Sequence, residues 1–115
     1  MEKIKIDLDY KCFPVWIYNE KDQLITNDLP DYLTGDEIIN SLFVDIQNSF
    51  NNLYIDNEKE FKFKGFSSEE KEKSFVDYVS RAVNMLKQRV NKSTIVEFDE
   101  EDLLKMLYSQ KNKAL

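Results

Sequence analysis

From Ile4 to Tyr10 every second side chain is apolar (Ile4, Ile6, Leu8, Tyr10) and those between are charged (Lys5, Asp7, Asp9). Side chains of an extended chain point alternately to opposite faces, so this pattern describes a strand with one face buried and the other in water. A helix with the same residues would scatter its apolar groups around the whole cylinder. The chain is thereby committed to a sheet from its first residues. The next segment, Phe13 to Tyr18, is apolar on both faces, as in a central strand, with Pro14 near its start where a missing N–H is tolerated. Asn19-Glu20-Lys21-Asp22-Gln23 supplies turn chemistry before Leu24-Ile25-Thr26, giving an antiparallel meander of three strands.

The period then changes. After a connection holding Pro30 and Gly35, Ile39, Phe43, Ile46, Phe50 and Leu53 recur at helical spacing, which predicts a helix over roughly 36–54 capped by Thr34 or Gly35, with Asp36 and Glu37 in its first turn. Phe61 and Phe63 alternate with lysines as a short fourth strand. Ser67 or Ser68, with a capping-box glutamate, opens a second long helix whose stripe is Phe75, Val79, Ala82, Val83, Leu86 and Val90. Thr94 to Phe98 reads as a fifth strand, Asp99 as the cap of a short last helix through Leu103, Leu104, Leu107 and Tyr108, and 111–115 as a frayed end. The expected fold is α+β: a mainly antiparallel sheet of three to five strands with helices on one face. At 115 residues the chain fits a single domain, 1–115.

The charge is distributed unevenly. Between Lys21 and Lys59 there is no Lys, Arg or His but there are eight carboxylates, whereas residues 67–115 hold nine acids and nine bases. Such concentration makes a directed field able to steer a basic partner, where a dispersed excess would serve solubility. The outward side of the first helix, with Asn40, Asp45, Gln47, Asn48, Asn51 and Asn52, offers hydrogen-bonding groups and no cation for an i,i+4 pair. A basic partner is therefore expected to meet Asp28, Asp31, Asp36, Glu37, Asp45, Asn48 and Asn52. A solvated face explains the same residues without any partner.

Catalytic chemistry has little to draw on. The chain has no histidine and one cysteine, which removes Ser/His and Cys/His triads and thiolate zinc sites. There is no glycine-rich phosphate loop, and Asp56-Asn57-Glu58 lacks the further ligands and glycine of a calcium loop, so no cofactor or metal is expected. Cys12 is expected to be buried and chemically quiet. Asp7 and Asp9 could pair on one strand face for a metal or a glycoside, although a charged outer face continuing Lys3 and Lys5 accounts for them too. Trp16 belongs in the core unless its strand is open on one side, in which case it and Tyr18 would anchor an interface. With no apolar run of membrane-spanning length and no signal-peptide pattern, the cytoplasm is the expected location, and acidity disfavours nucleic acid and anionic lipid.

The stretch Ile4-Lys5-Ile6-Asp7-Leu8-Asp9-Tyr10, through Cys12-Phe13-Pro14-Val15-Trp16-Ile17-Tyr18 to Asn27-Asp28-Leu29-Pro30, resembles small uncharacterised proteins of low-GC Gram-positive bacteria, similar in character to immunity proteins of polymorphic toxin systems. The resemblance covers about the first 30 residues and carries no assigned functional positions. It implies a non-catalytic inhibitor that blocks a basic, nuclease-like toxin domain. The alternatives are a regulatory adaptor or nucleic-acid mimic using the same acidic face, a small enzyme using Asp7, Asp9 or Asp28, and a structural subunit that self-associates.

Overall fold

The computed structural model describes residues 2–113. It is an α+β fold in which four strands form one mixed sheet and two more form a separate hairpin. β1 (Lys3–Ile6), β2 (Val15–Tyr18) and β3 (Leu24–Thr26) make the expected meander. β6 (Ile95–Glu97) lies parallel to β1 on its other side, giving the order β3-β2-β1-β6. The mainly antiparallel expectation thus holds for two of the three pairings in this sheet. The parallel pair is tied by a backbone bond from Ile95 N–H to the Glu2 carbonyl, 3.1 Å.

Three helices follow from the apolar stripes: α1 (Glu37–Asn51), α2 (Glu69–Arg89) and α3 (Glu100–Lys113). α1 ends three residues earlier than its apolar period predicts. Leu53 leaves the helix, and its carbonyl accepts the N–H groups of Lys64 (2.7 Å) and Gly65 (3.2 Å), the latter at φ +73°, a conformation glycine adopts freely. That contact clamps the base of a hairpin, β4 (Tyr54–Asp56) with β5 (Phe61–Phe63). Its turn is held by Asn57, whose Oδ1 accepts from the N–H groups of Lys59 and Glu60. The Phe61–Phe63 strand therefore pairs with Tyr54, expected at the helix end, and the two residues after it, outside the main sheet. Stacking helps to fix it: the Tyr54 and Phe61 rings lie 5.5 Å apart and near parallel.

The caps differ in detail from the sequence expectation. Asp36, rather than Thr34 or Gly35, is the N-cap of α1, its side chain accepting from Ile39 N–H at 3.1 Å. Ser68 caps α2, but Lys71 stands three positions on, so there is no reciprocal glutamate. α3 is nearly as long as α1 and continues through Lys113, past the point where fraying was expected; Ala114 and Leu115 lie outside the described residues.

One continuous core joins Ile4, Val15 and Ile17 of the sheet to Ile39, Phe43, Ile46 and Phe50 of α1, Val76, Val79, Val83 and Leu86 of α2, and Leu103 and Leu107 of α3. The register puts Lys3, Lys5, Trp16, Tyr18 and Glu97 on the opposite face. Trp16 is thus half-buried outside the core, its indole N–H donating to the Asp7 carbonyl at 2.9 Å, while Lys5 Nζ sits 5.2 Å from the centre of the Tyr18 ring. Among the described residues no buried side-chain nitrogen or oxygen lacks a partner. None of the helices described is long and apolar enough to cross a membrane.

Candidate protein interface

The acidic segment separates into two populations. Cations from elsewhere in the chain reach three of the eight carboxylates: Lys3 pairs with Asp22, Lys11 with Asp56 at 3.3 Å, and Arg89 with Asp36. Asp28, Asp31, Glu37, Asp45 and Glu58 are exposed, and among the described residues no Lys or Arg lies within ion-pair distance of them. Folding therefore neutralises Asp22, Asp36 and Asp56, and leaves negative charge on the connection before α1, on the exposed side of that helix and at the hairpin turn.

α1 explains which predicted residues come together. Asp45, Asn48 and Asn52 succeed one another at helical spacing, so they share one side of the helix. That side borders a groove of about 620 Å³ against α2, whose Lys71, Ser74, Phe75 and Tyr78 form the other wall. Tyr78 Oη donates to Asp45 Oδ2 at 3.1 Å. Desolvation, reinforced by this carboxylate, raises the Tyr78 pKa, so the phenol stays a donor throughout the neutral range. Asp28 and Asp31 lie on the connection, where Asp28 Oδ1 accepts from Leu29 N–H at 2.7 Å and Asp31 opens a single 3-10 turn, Asp31–Leu33. Gln47 and Asn51, also expected outward, are half-buried, and Asn51 Oδ1 accepts the Lys11 N–H at 2.9 Å and anchors the β1–β2 loop.

Asp36 has a structural task. Its carboxylate caps α1 and accepts from Arg89 Nη1 at the far end of α2, and the Ile39 N–H, then Arg89, hold its pKa below the ordinary 3.8. A carboxyl whose pKa is lowered on folding contributes stability above its unfolded pKa and loses that contribution as pH falls through the folded value. Asn caps helices as well as Asp does, so Asp36→Asn removes the charge and keeps the cap. The variant should be less stable than wild type at pH 7, and the gap should close below about pH 4. Urea unfolding across that range measures it; a gap that persists in acid would show that packing at residue 36, rather than its charge, is responsible.

Several apolar side chains beside these acids were not singled out from the sequence. Ile38 is 59% exposed, and Val44 and Tyr78 are each 36% exposed. The signal for Ile38 was its place 100° around the helix from the inward Ile39, on the side away from Phe43 and Ile46. Ile38 and Asp45, seven residues apart, fall on one stripe.

The carboxylates considered for catalysis are not assembled. β1 ends at Ile6, so Asp7 and Asp9 belong to the loop rather than to one strand face. Desolvation, then repulsion from Asp9, raises the Asp7 pKa above 3.8, while Asp9 Oδ1 accepts the Tyr10 N–H. Asp28 stands on a different connection. Among the described residues no group of three or more Asp, Glu or Cys is arranged to hold a metal ion. Cys12 is half-exposed on the same loop instead of buried in a strand, yet desolvation and Asp9 raise its pKa and keep it a thiol. No protein-family model and no curated protein matches the chain.

Proposed function

We propose that the chain is a non-catalytic protein-binding module that neutralises a basic, nuclease-like toxin domain, in the manner of an immunity protein. One observation carries this reading. Intramolecular cations answer Asp22, Asp36 and Asp56 and leave Asp28, Asp31, Glu37 and Asp45, with Glu58 at the hairpin turn, exposed without one. A surface meant only for solubility gains nothing from segregating its signs in this way, whereas a surface that must attract and orient a basic domain does. Ile38, Val44 and Tyr78 add the apolar contact that charges alone do not provide, since binding energy concentrates in buried apolar and aromatic anchors. The same negative field repels phosphate backbones, so the partner is a protein and not a nucleic acid.

The test is a mixture of the purified chain with the product of the gene next to its own. A stoichiometric complex by size exclusion with light scattering, together with loss of that product's toxicity, is the expected result. A hydrolase and nuclease screen of the chain alone is expected to find no turnover. Activity that survives repurification and disappears in Asp7→Asn would replace this reading with an enzymatic one.

A further inference from the structure

A second concavity lies where β1 and β6 end. The two strands are parallel, so their carboxyl ends face the same way, and the chain then diverges, into the β1–β2 loop from one and into α3 from the other. The gap between these departures is a cleft of about 560 Å³ bounded by the first turns of α3. This is within the range of small-ligand sites, and the carboxyl end of parallel strands is where open sheets commonly place them. No residue lining it belongs to the acidic segment, so it is independent of the interface proposed above.

Its walls have two chemistries. Ile6, Leu8, Val96, Phe98, Leu103 and Met106 supply apolar surface. Asp7, Glu97, Asp99 and Asp102 supply four carboxylates against one ammonium, Lys5. These charged groups are not equally available. Lys5 Nζ lies against the Tyr18 ring on the open face of the sheet, Glu97 has Lys3 at 4.0 Å, and Asp99 Oδ1 accepts the N–H groups of Glu101 and Asp102. Those last bonds occupy donors that would otherwise attract an anion to the start of α3. Asp7 and Asp102 remain, with no cation within ion-pair distance among the described residues. An apolar cavity edged by unneutralised carboxylates complements a molecule with an aliphatic stem and a cationic end.

We propose that this cleft binds a protonated aliphatic amine, its stem on the apolar wall and its ammonium at Asp7 and Asp102. Both carboxylates are exposed at the rim of the cleft, where an ammonium can reach them; desolvation and then Asp9 raise the Asp7 pKa, and the more distant Lys5 only partly offsets them. The amine comes either as a free small molecule or as a lysine side chain of another protein, and both present the same chemistry.

Titration of the isotopically labelled chain, followed by amide NMR, tests this. n-Pentylamine is expected to give saturable shifts at Leu8, Phe98 and Leu103, while pentanoate, with the stem but the wrong charge, and tetramethylammonium, with the charge but no stem, do not. Asp7→Asn and Asp102→Asn should each weaken the amine about tenfold, as loss of a charge-assisted hydrogen bond does, and Asp77→Asn on the exposed side of α2 should leave it unchanged. A second arm uses an acetylated, amidated lysine tripeptide: tighter binding than pentylamine at the same residues identifies a protein side chain as the source, and weaker binding identifies a free amine. Shifts spread evenly over all acidic surfaces, equal response to tetramethylammonium, or undiminished binding in both Asn variants would overturn the proposal. Each variant is first compared with wild type by its amide spectrum, so that a folding defect is seen directly.

Discussion

Phe43→Ala is expected to lower the free energy of unfolding by about 3–5 kcal/mol, the range measured when a buried aromatic ring is removed and its cavity only partly collapses. Phe43 is 0% exposed and sits in the middle of α1's inward stripe, between Ile39 and Ile46, with the Phe13 ring 6.3 Å away. Its ring thus joins the helix layer to the segment that enters β2. Total stability of a domain this size is about 5–15 kcal/mol, so one substitution would consume a large share of it. The comparison is Tyr108→Ala, on the exposed side of α3 at 68% exposure, which should change stability by no more than about 0.5 kcal/mol. Urea unfolding of both variants should show a lower midpoint for Phe43→Ala with an unchanged slope. A loss below about 1.5 kcal/mol would mean that the site refills from its neighbours, and that α1 is held less by its stripe than the core geometry implies.

The stripe itself was legible because helical periodicity is a local property. Ile39, Phe43, Ile46 and Phe50 were read inward and are buried, and Val79, Ala82, Val83 and Leu86 behave likewise in α2. What the sequence concealed are contacts between distant segments. Nothing near Thr94 to Phe98 indicates that Lys3 pairs with Ile95 in a parallel register. Nothing near Asp36 indicates that Arg89, 53 residues on, turns an acid of the presumed interface into a structural pair. Leu53 fitted the helical period and is buried as expected, yet it is buried as the clamp of a hairpin, because a period specifies which residues are inward and not the backbone that places them there. The candidate interface follows the same division. Asp45, Asn48 and Asn52 share a side of α1 for reasons of spacing alone, whereas the groove they border exists only because α2 packs alongside and brings Tyr78 to Asp45. Trp16 was assigned to the core unless its strand proved open on one side, and the register of β1 against β2 and β6 put it on that open side.

That division decides which acids are useful probes of recognition. Asp36 is unsuitable because its loss would break a cap and an ion pair, and Glu37 lies in the first turn of α1, where negative charge favours the helix itself. Asp31 and Asp45 are exposed, carry no intramolecular cation, and belong to the connection and to the outer side of α1 respectively. Reversing both to Lys changes the local charge by four units. With the toxin-like partner proposed above, the association rate should fall by about tenfold to a hundredfold at low salt, since electrostatic steering raises association from about 10⁵–10⁶ to as much as 10⁸–10⁹ M⁻¹s⁻¹. Wild-type association should slow steeply with added salt and the double reversal much less, as the Debye length shrinks towards 8 Å at physiological ionic strength. Dissociation should change little, because charges at an interface rim act on encounter more than on residence. Asp45→Lys also deprives the Tyr78 hydroxyl of its acceptor. The neutral pair Asp31→Asn and Asp45→Asn keeps an acceptor there and removes two charge units, so it should give about half the effect on the logarithm of the rate, with an unchanged urea midpoint. Equal association rates and equal salt slopes in all three proteins would make the acidic side of α1 a solvated surface, and would move the search for the interface to the open face of the sheet around Trp16 and Tyr18.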